Sequence, residues 1–568
     1  MVDKVWLKNY APGVPAQADV NAFSSVRDII ERSCAEFRDL PAYTNFGATL
    51  SYGEIDQQSR YFAAYLQQVV GIKRGDRVAL MMPNLLQYPI ALFGVLRAGG
   101  VAVNCNPLYT PRELEHQLKD SGAVAIVVLE NFANTVQAVR AAVPLRTIIT
   151  TQIADLLPWP KRVLMNLVVK HVKKMVPAWD LPGSITFGSA LRSGKWHELE
   201  TIPLAHDDVA FLQYTGGTTG VSKGAVLTHG NMVANMQQAH AWLAANLNSG
   251  QEVIITALPL YHIFSLTANC LVFMKIGGHN VLITNPRDFP GFVKELRKHD
   301  WTAITGVNTL FNALLNTPGF AELDFSRVKL ALGGGMAVQR AVAARWKQVT
   351  KVVLLEAYGL TETSPAACIN PMTNTEYNGS IGLPIPSTEV SIRDDAFNEL
   401  PIRKAGMDEA ATVGEICIRG PQVMRGYWNR DDETAKVLTT DGWLKTGDLG
   451  YMDEGGYTYI VDRKKDMILV SGFNVYPNEV ESVVAELPGV LEVAAIGVPD
   501  ERAGEVVKVF VVRKDPSLTE AQVLAHCKKE LTGYKLPRYV EFRTELPKTN
   551  VGKILRRALR EPAANKPN

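Results

Sequence analysis

An α/β fold with mostly parallel sheets and helices on both faces is predicted, followed by a smaller α+β region. Two features of the 568-residue sequence predict it. Residues 207–360 alternate short β-branched runs with longer segments of helical periodicity, which is typical of strand–helix–strand units. After about Gly414, short strand-like runs follow one another closely, separated by glycine or charged turns.

The individual elements follow from the same patterns. In the first region the predicted strands are 210–214, 253–257, 280–284, 302–306, 328–332 and 352–357. The helices between them are 231–244, 266–276, 290–299, 310–315 and 338–349. The first 130 residues look similar, with helices 25–37 and 53–69 and strand 77–82. The later region has strands 415–419, 457–461, 467–470, 493–498 and 506–512, and helices 478–487 and 520–531.

The overall composition is that of a globular protein, with 47% hydrophobic and 20% charged residues. At ~150 residues per domain, the length suggests about four folding units. Lys and Arg number 59 against 57 Asp and Glu, a formal net charge of +2. A nucleic-acid partner is therefore not expected, because such partners require a clear basic excess.

Cysteine spacing predicts a reducing, cytoplasmic environment. The six cysteines are Cys34, Cys105, Cys270, Cys368, Cys417 and Cys527, and they form no CxxC pair. Residues 1–10 carry three charged side chains and no apolar stretch, so a signal peptide is not expected. The sequence also lacks an uncharged apolar run of ~18 residues, so no membrane span is expected.

A loop rich in glycine and hydroxyl groups directly follows predicted strand 210–214. It comprises Tyr214, Thr215, Gly216, Gly217, Thr218, Thr219, Gly220, Val221, Ser222, Lys223, Gly224 and Ala225. Its glycines let backbone N–H groups turn toward an anion, and its hydroxyls and lysine add donors and charge. The loop therefore predicts a triphosphate site, although Ser222 before the lysine departs from a Walker A loop. The alternative is a glycine-rich surface turn.

Two shorter segments also lie just after predicted strands, where open α/β sheets bind ligands. Residues 358–363 read YGLTET, in which Glu362 is suited to Mg²⁺ beside phosphate oxygens and Tyr358 to stacking on a base. The alternative is a helix start capped by Thr361. The glycines Gly333, Gly334 and Gly335 would admit a flat ligand such as adenine, or form a tight turn.

Two segments near the C-terminus complete the candidates. Residues 441–448 read DGWLKTGD, and Asp448 after a glycine turn is suited to ribose hydroxyls or to stabilising the turn itself. Residues 547–557 read PKTNVGKILRR, in which Lys553 follows a glycine. The alternative for this second segment is a basic, solvated terminal stretch.

These five segments, in this order and spacing, resemble the adenylate-forming superfamily of acyl-CoA synthetases, luciferases and nonribosomal-peptide adenylation domains. The resemblance covers essentially the whole chain. Residues 441–481 resemble the fatty acyl-CoA synthetase signature. The stretches TNPRDFPGFVKEL, GVNTLFNALLN and LTGYKLPRYVEF resemble bacterial long-chain fatty acid–CoA ligases, as do GDRVALMMPNLLQYPIALFGVLRAGG and NPLYTPRELEHQL.

The resemblance implies a large N-terminal domain of several subdomains, residues 1–461, and a mobile C-terminal domain, residues 462–568. Residues 214–225 would hold the ATP phosphates, with Glu362 and Thr218 on Mg²⁺. The adenosine would lie against the glycines at 333–335 and the 358–361 segment, with its ribose on Asp448 and Arg463. The nucleotide set thus also includes Tyr358, Gly359 and Thr361.

The resemblance also assigns the groups that act on the acid and on coenzyme A. Lys553 would serve adenylation, and the loop at Gly472 would serve thioester formation after rotation at the hinge residue Asp462. His262 matches a position near the carboxylate, whereas without the family it would be a satisfied histidine at a strand end. One departure concerns the acyl tunnel, because Phe264, Ser265 and Leu266 stand where some members place a gating tryptophan. No gate residue is assigned.

Residues 161–176 read as one amphipathic helix bounded by Pro160 and Pro177. One face carries Arg162, Asn166, Lys170, Lys173 and Lys174, and the other carries Leu164, Leu167, Val168, Val172 and Met175. That pattern is typical of a helix lying on an anionic bilayer. The alternative is a helix packed on the protein body with its basic face in water.

The function expected is ligation of a long-chain fatty acid to coenzyme A with ATP and Mg²⁺, supplying fatty acid β-oxidation. Alternatives are a ligase for a medium-chain or aryl acid, or a lipid uptake or binding protein without turnover. The expected location is the cytoplasm. Two points are left open: peripheral contact with the inner face of a membrane, and assembly as a homodimer.

Overall fold

The computed structural model describes residues 4–215, 222–409, 411–500 and 502–560. Its strands are β1 (Pro41–Asn45), β2 (Ala48–Ser51), β3 (Arg77–Met81), β4 (Val101–Asn104), β5 (Ala125–Leu129), β6 (Thr147–Thr151), β7 (Ile185–Thr186), β8 (Val209–Thr215), β9 (Lys223–Thr228), β10 (Val253–Thr256), β11 (His279–Leu282), β12 (Ala303–Gly306), β13 (Leu330–Gly334), β14 (Leu354–Gly359), β15 (Ala366–Ile369), β16 (Leu383–Pro384), β17 (Glu389–Arg393), β18 (Gly414–Arg419), β19 (Leu444–Met452), β20 (Thr458–Arg463), β21 (Ile468–Val470), β22 (Phe473–Val475), β23 (Val490–Asp500), β24 (Gly504–Arg513) and β25 (Tyr539–Arg543).

The α-helices are α1 (Val26–Glu36), α2 (Tyr52–Tyr65), α3 (Gln87–Arg97), α4 (Pro111–Ser121), α5 (Ala133–Val139), α6 (Lys161–Leu167), α7 (Phe187–Gly194), α8 (His229–Leu243), α9 (Ile263–Ser265), α10 (Phe273–Lys275), α11 (Phe289–Leu296), α12 (Asn308–Leu315), α13 (Arg340–Thr350), α14 (Asp431–Val437), α15 (Pro477–Ala485), α16 (Glu520–Glu530) and α17 (Arg556–Arg560). Segments of π-helix, Leu66–Val70, Val168–Val172 and Leu266–Val272, continue α2, α6 and α9. Short 3₁₀ turns cover Val5–Asn9, Glu130–Phe132, Arg140–Ala142, Thr361–Thr363 and Gly533–Lys535.

Two large, mostly parallel sheets form the body of the protein. The first has the order β16-β15-β14-β13-β12-β10-β11-β1-β2, and the second β7-β6-β5-β3-β4-β8-β9. Antiparallel pairing is confined to their edges, at β14/β15, β15/β16, β1/β2 and β8/β9. The predicted α/β class is therefore confirmed, and the predicted strands of residues 210–357 are all present within a few residues of their expected bounds.

Local sequence explains where many of the helices begin. Helices α2, α4 and α8 begin with capping boxes at Ser51, Thr110 and Thr228. In a capping box, the side chain of the residue before the helix accepts the backbone N–H of the third helical residue, whose side chain accepts the backbone N–H of the residue before the helix. Pro111 occupies the first position of α4, where a missing N–H costs nothing. The helices are therefore fixed at their N-termini by short-range chemistry that the sequence displays.

Two further sheets follow, and the first of them corrects the sequence analysis. The strands β17 to β20 form a four-stranded antiparallel sheet spanning residues 389–463, so the change of character precedes Gly414. Its apolar residues, including Ile392, Ile416 and Leu444, join the core of the large sheets instead of a separate small domain. The last sheet, β22-β21-β24-β23 with β25 on β24, has its own cores, built from Ile468 onward. The division at residues 461 and 462 stays a prediction.

The amphipathic helix is shorter than predicted, and its orientation was not foreseen. It ends with the π segment at Val172, and Lys174 adopts a positive φ of 51°. Asn166, predicted on the basic face, instead bonds to the protein body through Ala154 N at 3.0 Å and Gln152 Oε1 at 2.9 Å. In the part of the chain that the structure describes, none of the helices has the length and hydrophobicity needed to span a bilayer.

Candidate active site

Three neighbouring parallel strands place the candidate residues at one edge of the first sheet. Strands β12, β13 and β14 pair in parallel register, with Gly306 opposite Gly333 and Gly334 opposite Ala357. Their carboxyl ends therefore lie side by side, and the segments that follow them meet there. Crowding explains one glycine of this edge, because a Cβ at Gly359 would lie 1.8 Å from the carbonyl oxygen of Pro365.

Lys553 reaches this edge from the C-terminal region. A Cβ built at Gly335 would lie 3.1 Å from Lys553 Cε and 3.6 Å from its Nζ, so the lysine lies against the glycine turn. Gly335 has a φ of +77°, which disfavours any side chain there. Burial, reinforced by the charge of Arg463, lowers the pKa of Lys553 from 10.5 to about 8. The site therefore holds a lysine that is partly withdrawn from solvent and loses its proton more easily than an exposed lysine.

Tyr358, Asp448 and Arg463 form a connected group beside the lysine. The Tyr358 hydroxyl donates to Asp448 Oδ2 at 2.6 Å, and Arg463 Nε lies 3.4 Å from Asp448 Oδ1. Asp448 and Arg463 face each other across the β19/β20 pair. Burial and the neighbouring Asp448 carboxylate raise the pKa of the Tyr358 hydroxyl well above its usual range. Three residues predicted from separate segments are thus brought together.

Glu362 is linked to the predicted phosphate lysine through a residue that the sequence analysis missed. The Tyr427 hydroxyl donates to Glu362 Oε1 at 2.6 Å, and Lys223 Nζ lies 4.4 Å above the centre of the Tyr427 ring. The ammonium of Lys223 also donates to Glu433 Oε2 at 2.8 Å. Bonds to Lys223 and Lys436 lower the pKa of Glu433 to about 2. Among the described residues no group of three or more acidic, His or Cys side chains is arranged to hold a metal.

Helix α4 supports both ends of the glycine-rich loop. The Tyr214 hydroxyl donates to Asp120 Oδ2 at 2.5 Å, and His116 Nε2 lies 2.9 Å from the carbonyl oxygen of Ser222. Gly224 packs under the Tyr214 ring, which a Cβ would approach to 3.0 Å. Thr215 is the last residue of β8, Ser222 directly precedes β9, and Ala225 lies within β9. The predicted residues Gly216, Gly217, Thr218, Thr219, Gly220 and Val221 lie outside the described residues.

An apolar cavity of about 100 Å³ opens from this group into the protein. Lys553, His262 and Tyr358 line its polar end. Its apolar end lies between α8 and the π segment, and is lined by Ala239, Leu243, Thr267, Ala268, Val272 and Ile369. Burial lowers the pKa of His262 to about 3, so this imidazole is neutral, and its Nδ1 accepts the backbone N–H of Phe264 at 3.3 Å.

The predicted hinge residue Asp462 and the predicted thioester residue Gly472 do not line this cavity, although Asp462 directly precedes Arg463 in strand β20. Asp462 is buried, and its Oδ2 accepts the N–H of Asn478 at 2.8 Å while Arg556 Nη1 lies 3.5 Å from Oδ1. Burial raises the pKa of this carboxyl to about 6. Gly472 is exposed in the β21/β22 turn with a φ of +85°, and nothing lies within 4 Å of a Cβ built there. The structure does not bring Gly472 to the lysine.

Tyr427 and Glu433 carried no signal that would have identified them from sequence. They lie in residues 425–433, which contact strand β9. One of these contacts is the hydrogen bond that the N–H of Val226 donates to the carbonyl of Gly426 at 2.9 Å. A tyrosine beside a glycine and a tryptophan reads as an ordinary loop residue. Only the folded chain shows that its hydroxyl meets Glu362.

Comparison with known proteins identifies the class to which this site belongs. The family described as AMP-binding enzyme matches residues 30–428, and AMP-binding enzyme C-terminal domain matches residues 479–553. The chain therefore belongs to the AMP-binding, adenylate-forming enzyme family.

Individual relatives narrow the comparison. The chain is similar to the long-chain-fatty-acid–CoA ligase of Escherichia coli O6:H1, at 56% identity over 99% of both chains. It is also similar to that of Yersinia pestis, at 57% identity over 99% of this chain and 98% of the relative. Among solved structures, ATP-bound MatB from Rhodopseudomonas palustris matches with a TM-score of 0.77 and 28% identity, covering 94% of this chain and 98% of the other.

Proposed function

We propose that this protein is an ATP-dependent long-chain-fatty-acid–CoA ligase. The observation that carries the proposal is one partly buried lysine that lines an apolar cavity, beside the Tyr358–Asp448 pair. The apolar lining of this cavity suits the part of an alkyl chain nearest its carboxylate, and the long chain is assigned from the relatives. The relatives that share more than half of their residues with this chain carry the same name.

The first half-reaction is formation of an acyl-adenylate. A carboxylate oxygen of the acid attacks the α-phosphorus of ATP, the bond to the β-phosphate bridging oxygen breaks, and pyrophosphate leaves. Charge builds on the phosphate oxygens during this step, so its rate depends on fixed positive groups. Lys553 is the group that supplies this charge, and the neutral His262 lines the end of the cavity where the carboxylate would lie.

Tyr358, Gly359, Thr361 and the 333–335 turn form the nucleoside surface in this proposal. Asp448 would accept the ribose hydroxyls, and Arg463 would hold Asp448 in place, since the two are already paired across adjacent strands. The segment 214–225 would take the phosphates. Its described flanks supply Lys223, while the loop residues between them remain a prediction from sequence.

Mg²⁺ fits the donor set at Glu362. Mg²⁺ in nucleotide sites is held by one or two carboxylates together with phosphate oxygens and water, and does not need a cage of protein ligands. Glu362 supplies one such carboxylate, oriented by the Tyr427 hydroxyl, and Thr218 is its predicted companion. The ion would neutralise charge on the phosphate oxygens during attack.

The second half-reaction forms the thioester. The thiolate of coenzyme A attacks the carbonyl carbon of the acyl-adenylate, and AMP leaves with the electrons of the broken C–O bond. Lys553 occupies the site in the present arrangement, whereas the Gly472 turn is exposed elsewhere. We therefore propose rotation of residues 462–568 at Asp462, which would withdraw Lys553 and bring Gly472 to the site.

A chain-length series tests the proposal. Fatty acids from medium to long chain, together with an aryl acid, are incubated with ATP, Mg²⁺ and coenzyme A, and AMP release is measured. Long-chain acids should give the highest kcat/KM. A higher value for the aryl or medium-chain acid would overturn the substrate assignment, and absence of AMP release with every acid would favour a non-catalytic lipid-binding protein.

The segment around helix α6 supports peripheral membrane association. Leu164, Val172 and Met175 are 65%, 73% and 54% exposed, and Trp159 is 74% exposed. Large apolar side chains clustered on one surface are typical of interaction sites. The sequence left open whether a bilayer or the protein body covers the apolar face of this helix. The protein body does not cover these side chains.

The charge of this segment favours an anionic bilayer as the partner. Residues 157–179 contain five lysines and arginines and no acidic residue. Basic residues beside apolar ones suit a surface that is apolar within and anionic at its headgroups. We propose cytoplasmic residence with this segment docked on the inner face of the membrane. The six free, buried cysteines agree with a reducing compartment. A homodimer formed through the same face is the competing arrangement.

A further inference from the structure

Helix α12 (Asn308–Leu315) makes two side-chain hydrogen bonds to the C-terminal region. Thr309 Oγ1 donates to the carbonyl oxygen of Gly552 at 2.9 Å, and Asn312 Nδ2 donates to that of Leu491 at 2.8 Å. Both donors follow strand β12, so they stand at the sheet edge where the nucleotide surface lies. The two acceptors belong to segments that are far apart in the chain but close together in the fold.

The first bond holds the residue immediately before Lys553. Gly552 has a φ of +84°, and a Cβ there would lie 3.0 Å from Thr309 Oγ1 and 3.1 Å from Val307 Cγ2, so the two chains approach closely. Two hydrogen bonds close this loop on itself, since Lys553 N donates to Thr549 Oγ1 at 3.1 Å and Thr549 N donates to the Lys553 carbonyl at 2.7 Å. Fixing Gly552 therefore fixes where the Lys553 side chain begins.

The second bond prevents rotation about the first. Leu491 lies at the start of β23 (Val490–Asp500), in the sheet of the C-terminal region. The Asn312 amide is itself oriented, since its Oδ1 accepts Asn316 Nδ2 at 3.1 Å. One bond leaves the C-terminal region free to pivot, whereas two bonds from successive turns of one helix define its orientation.

We propose that Thr309 and Asn312 are positioning residues for adenylation, acting as a clamp that holds Lys553 in the site during the first half-reaction only. This inference rests on the proposed two-step function. Neither side chain contacts the reacting atoms. When residues 462–568 rotate for thioester formation, Gly552 and Leu491 leave α12 and both bonds break. Losing the clamp should therefore slow adenylation and spare the second half-reaction.

The test measures the two half-reactions separately. Thr309→Val keeps the shape of the side chain and removes its donor, and Asn312→Asp replaces the donor nitrogen by oxygen. Each variant should slow pyrophosphate release without coenzyme A about two- to tenfold, the size of one ordinary hydrogen bond. Formation of acyl-CoA from supplied acyl-adenylate should be unchanged or faster. Thr309→Ser, which retains the hydroxyl, should restore adenylation.

Thr317→Val is the matched control, because Thr317 Oγ1 donates to the Ala313 carbonyl at 2.8 Å, four residues earlier in the chain, and not to the C-terminal region that the structure describes. It should leave both half-reactions unchanged. An equal fall of both rates in the Thr309 and Asn312 variants, or no fall in adenylation, would overturn the clamp. Such a result is distinct from failure of the proposed function, which would appear as wild-type protein that releases no pyrophosphate with any fatty acid.

Discussion

The ammonium group of Lys553 lies where burial and a neighbouring arginine weaken its hold on a proton. Its pKa of about 8 in the free protein lies close to working pH, unlike that of an exposed lysine. Bound triphosphate would have the opposite effect, since a neighbouring negative charge stabilises the protonated form. Residue-scale electrostatics therefore connect the adenylation rate to pH.

Adenylation should lose rate at alkaline pH, because only protonated Lys553 supplies positive charge. The kcat/KM for ATP reports the free protein and should fall about tenfold per pH unit above a pKa near 8. The kcat reports the ATP-bound form and should begin to fall only at higher pH. Pyrophosphate release measured across pH at limiting ATP gives the pH dependence of kcat/KM, and the same measurement at saturating ATP gives that of kcat.

Two variants identify the group responsible. Lys553→Ala should lower adenylation on the order of 10²–10³-fold and abolish the alkaline limb. Glu356 is a second group in this pH range, since burial raises the pKa of its carboxyl to about 8. If Lys553 is the source, Glu356→Gln should still lose adenylation rate at alkaline pH. Loss of the limb in that variant would show that Lys553 is not its source.

Tyr427 gives the second prediction at the residue scale. Tyr427→Phe removes the hydroxyl that orients Glu362, so the Mg²⁺ concentration giving half-maximal pyrophosphate release should rise about two- to tenfold. Tyr459→Phe is the control, because the Tyr459 hydroxyl meets the carboxylate of Asp453 at 3.2 Å, outside the nucleotide group described above. An unchanged Mg²⁺ requirement in Tyr427→Phe would separate this tyrosine from the metal.

At the scale of elements, helix α6 shows that an amphipathic pattern does not tell which face meets the protein. The segment contacts the body through Asn166 and the buried Val169, and Asn131 Nδ2 holds the carbonyl of Met175 at 2.9 Å. A few polar contacts therefore attach the helix sideways and leave its leucines in water. Leaving these leucine side chains in water is unfavourable in free energy unless a partner covers them.

Leu164→Ser combined with Leu167→Ser should weaken binding to vesicles containing anionic lipid by at least tenfold, because each leucine loses apolar area that the bilayer would bury. Lys173→Gln with Lys174→Gln should weaken it roughly 30-fold at low salt, at about 1 kcal/mol per lysine. Co-sedimentation measures both effects, and added salt should mimic only the lysine changes.

Leu108→Ser is the control for these vesicle experiments, since Leu108 is 56% exposed outside this segment. Activity on soluble substrate should survive in all these variants. If the leucine changes leave vesicle binding intact but convert a dimer to a monomer, the face is a subunit interface and not a membrane surface.

At the scale of the whole molecule, one site must present different groups for its two half-reactions. The present arrangement places Lys553 there and leaves the Gly472 turn exposed, with Phe473 stacked on Tyr534 at 4.8 Å between ring centres. The buried Asp462, held by Arg556 and by the N–H of Asn478, lies where the chain passes into the last sheet. The proposed chemistry needs residues 462–568 to rotate about Asp462 between the two half-reactions.

Gly472→Leu should block thioester formation by more than tenfold and leave adenylation within a few-fold of wild type. The side chain has free space in the present arrangement and would obstruct the turn only after rotation. Gly406→Leu controls for backbone strain, because Gly406 also has a positive φ of +81° with nothing within 4 Å of a Cβ. Both half-reaction rates are measured, and equal losses in the Gly472 variant would indicate damage to the fold.

The sequence alone determined the features that depend on local order. Periodicity of apolar residues predicted the strands and helices of the large sheets, which the structure confirms. The phosphate site at the glycine-rich segment after strand β8 stays a prediction. Segments after strands β13 and β14 were predicted to bind a ligand, because parallel strands place their carboxyl ends at one edge, and the structure brings both segments to that edge. These inferences need only a few neighbouring residues.

Tertiary structure decided everything that depends on contacts between distant segments. The Tyr427 hydroxyl on Glu362 and the Thr309 bond to Gly552 join residues 65 and 243 positions apart. Strands β17–β20 also share one core with the large sheets. It also decided that α6 turns its leucines outward. A hydrophobic pattern fixes the faces of an element, but which face is buried depends on the surface against which the chain brings it.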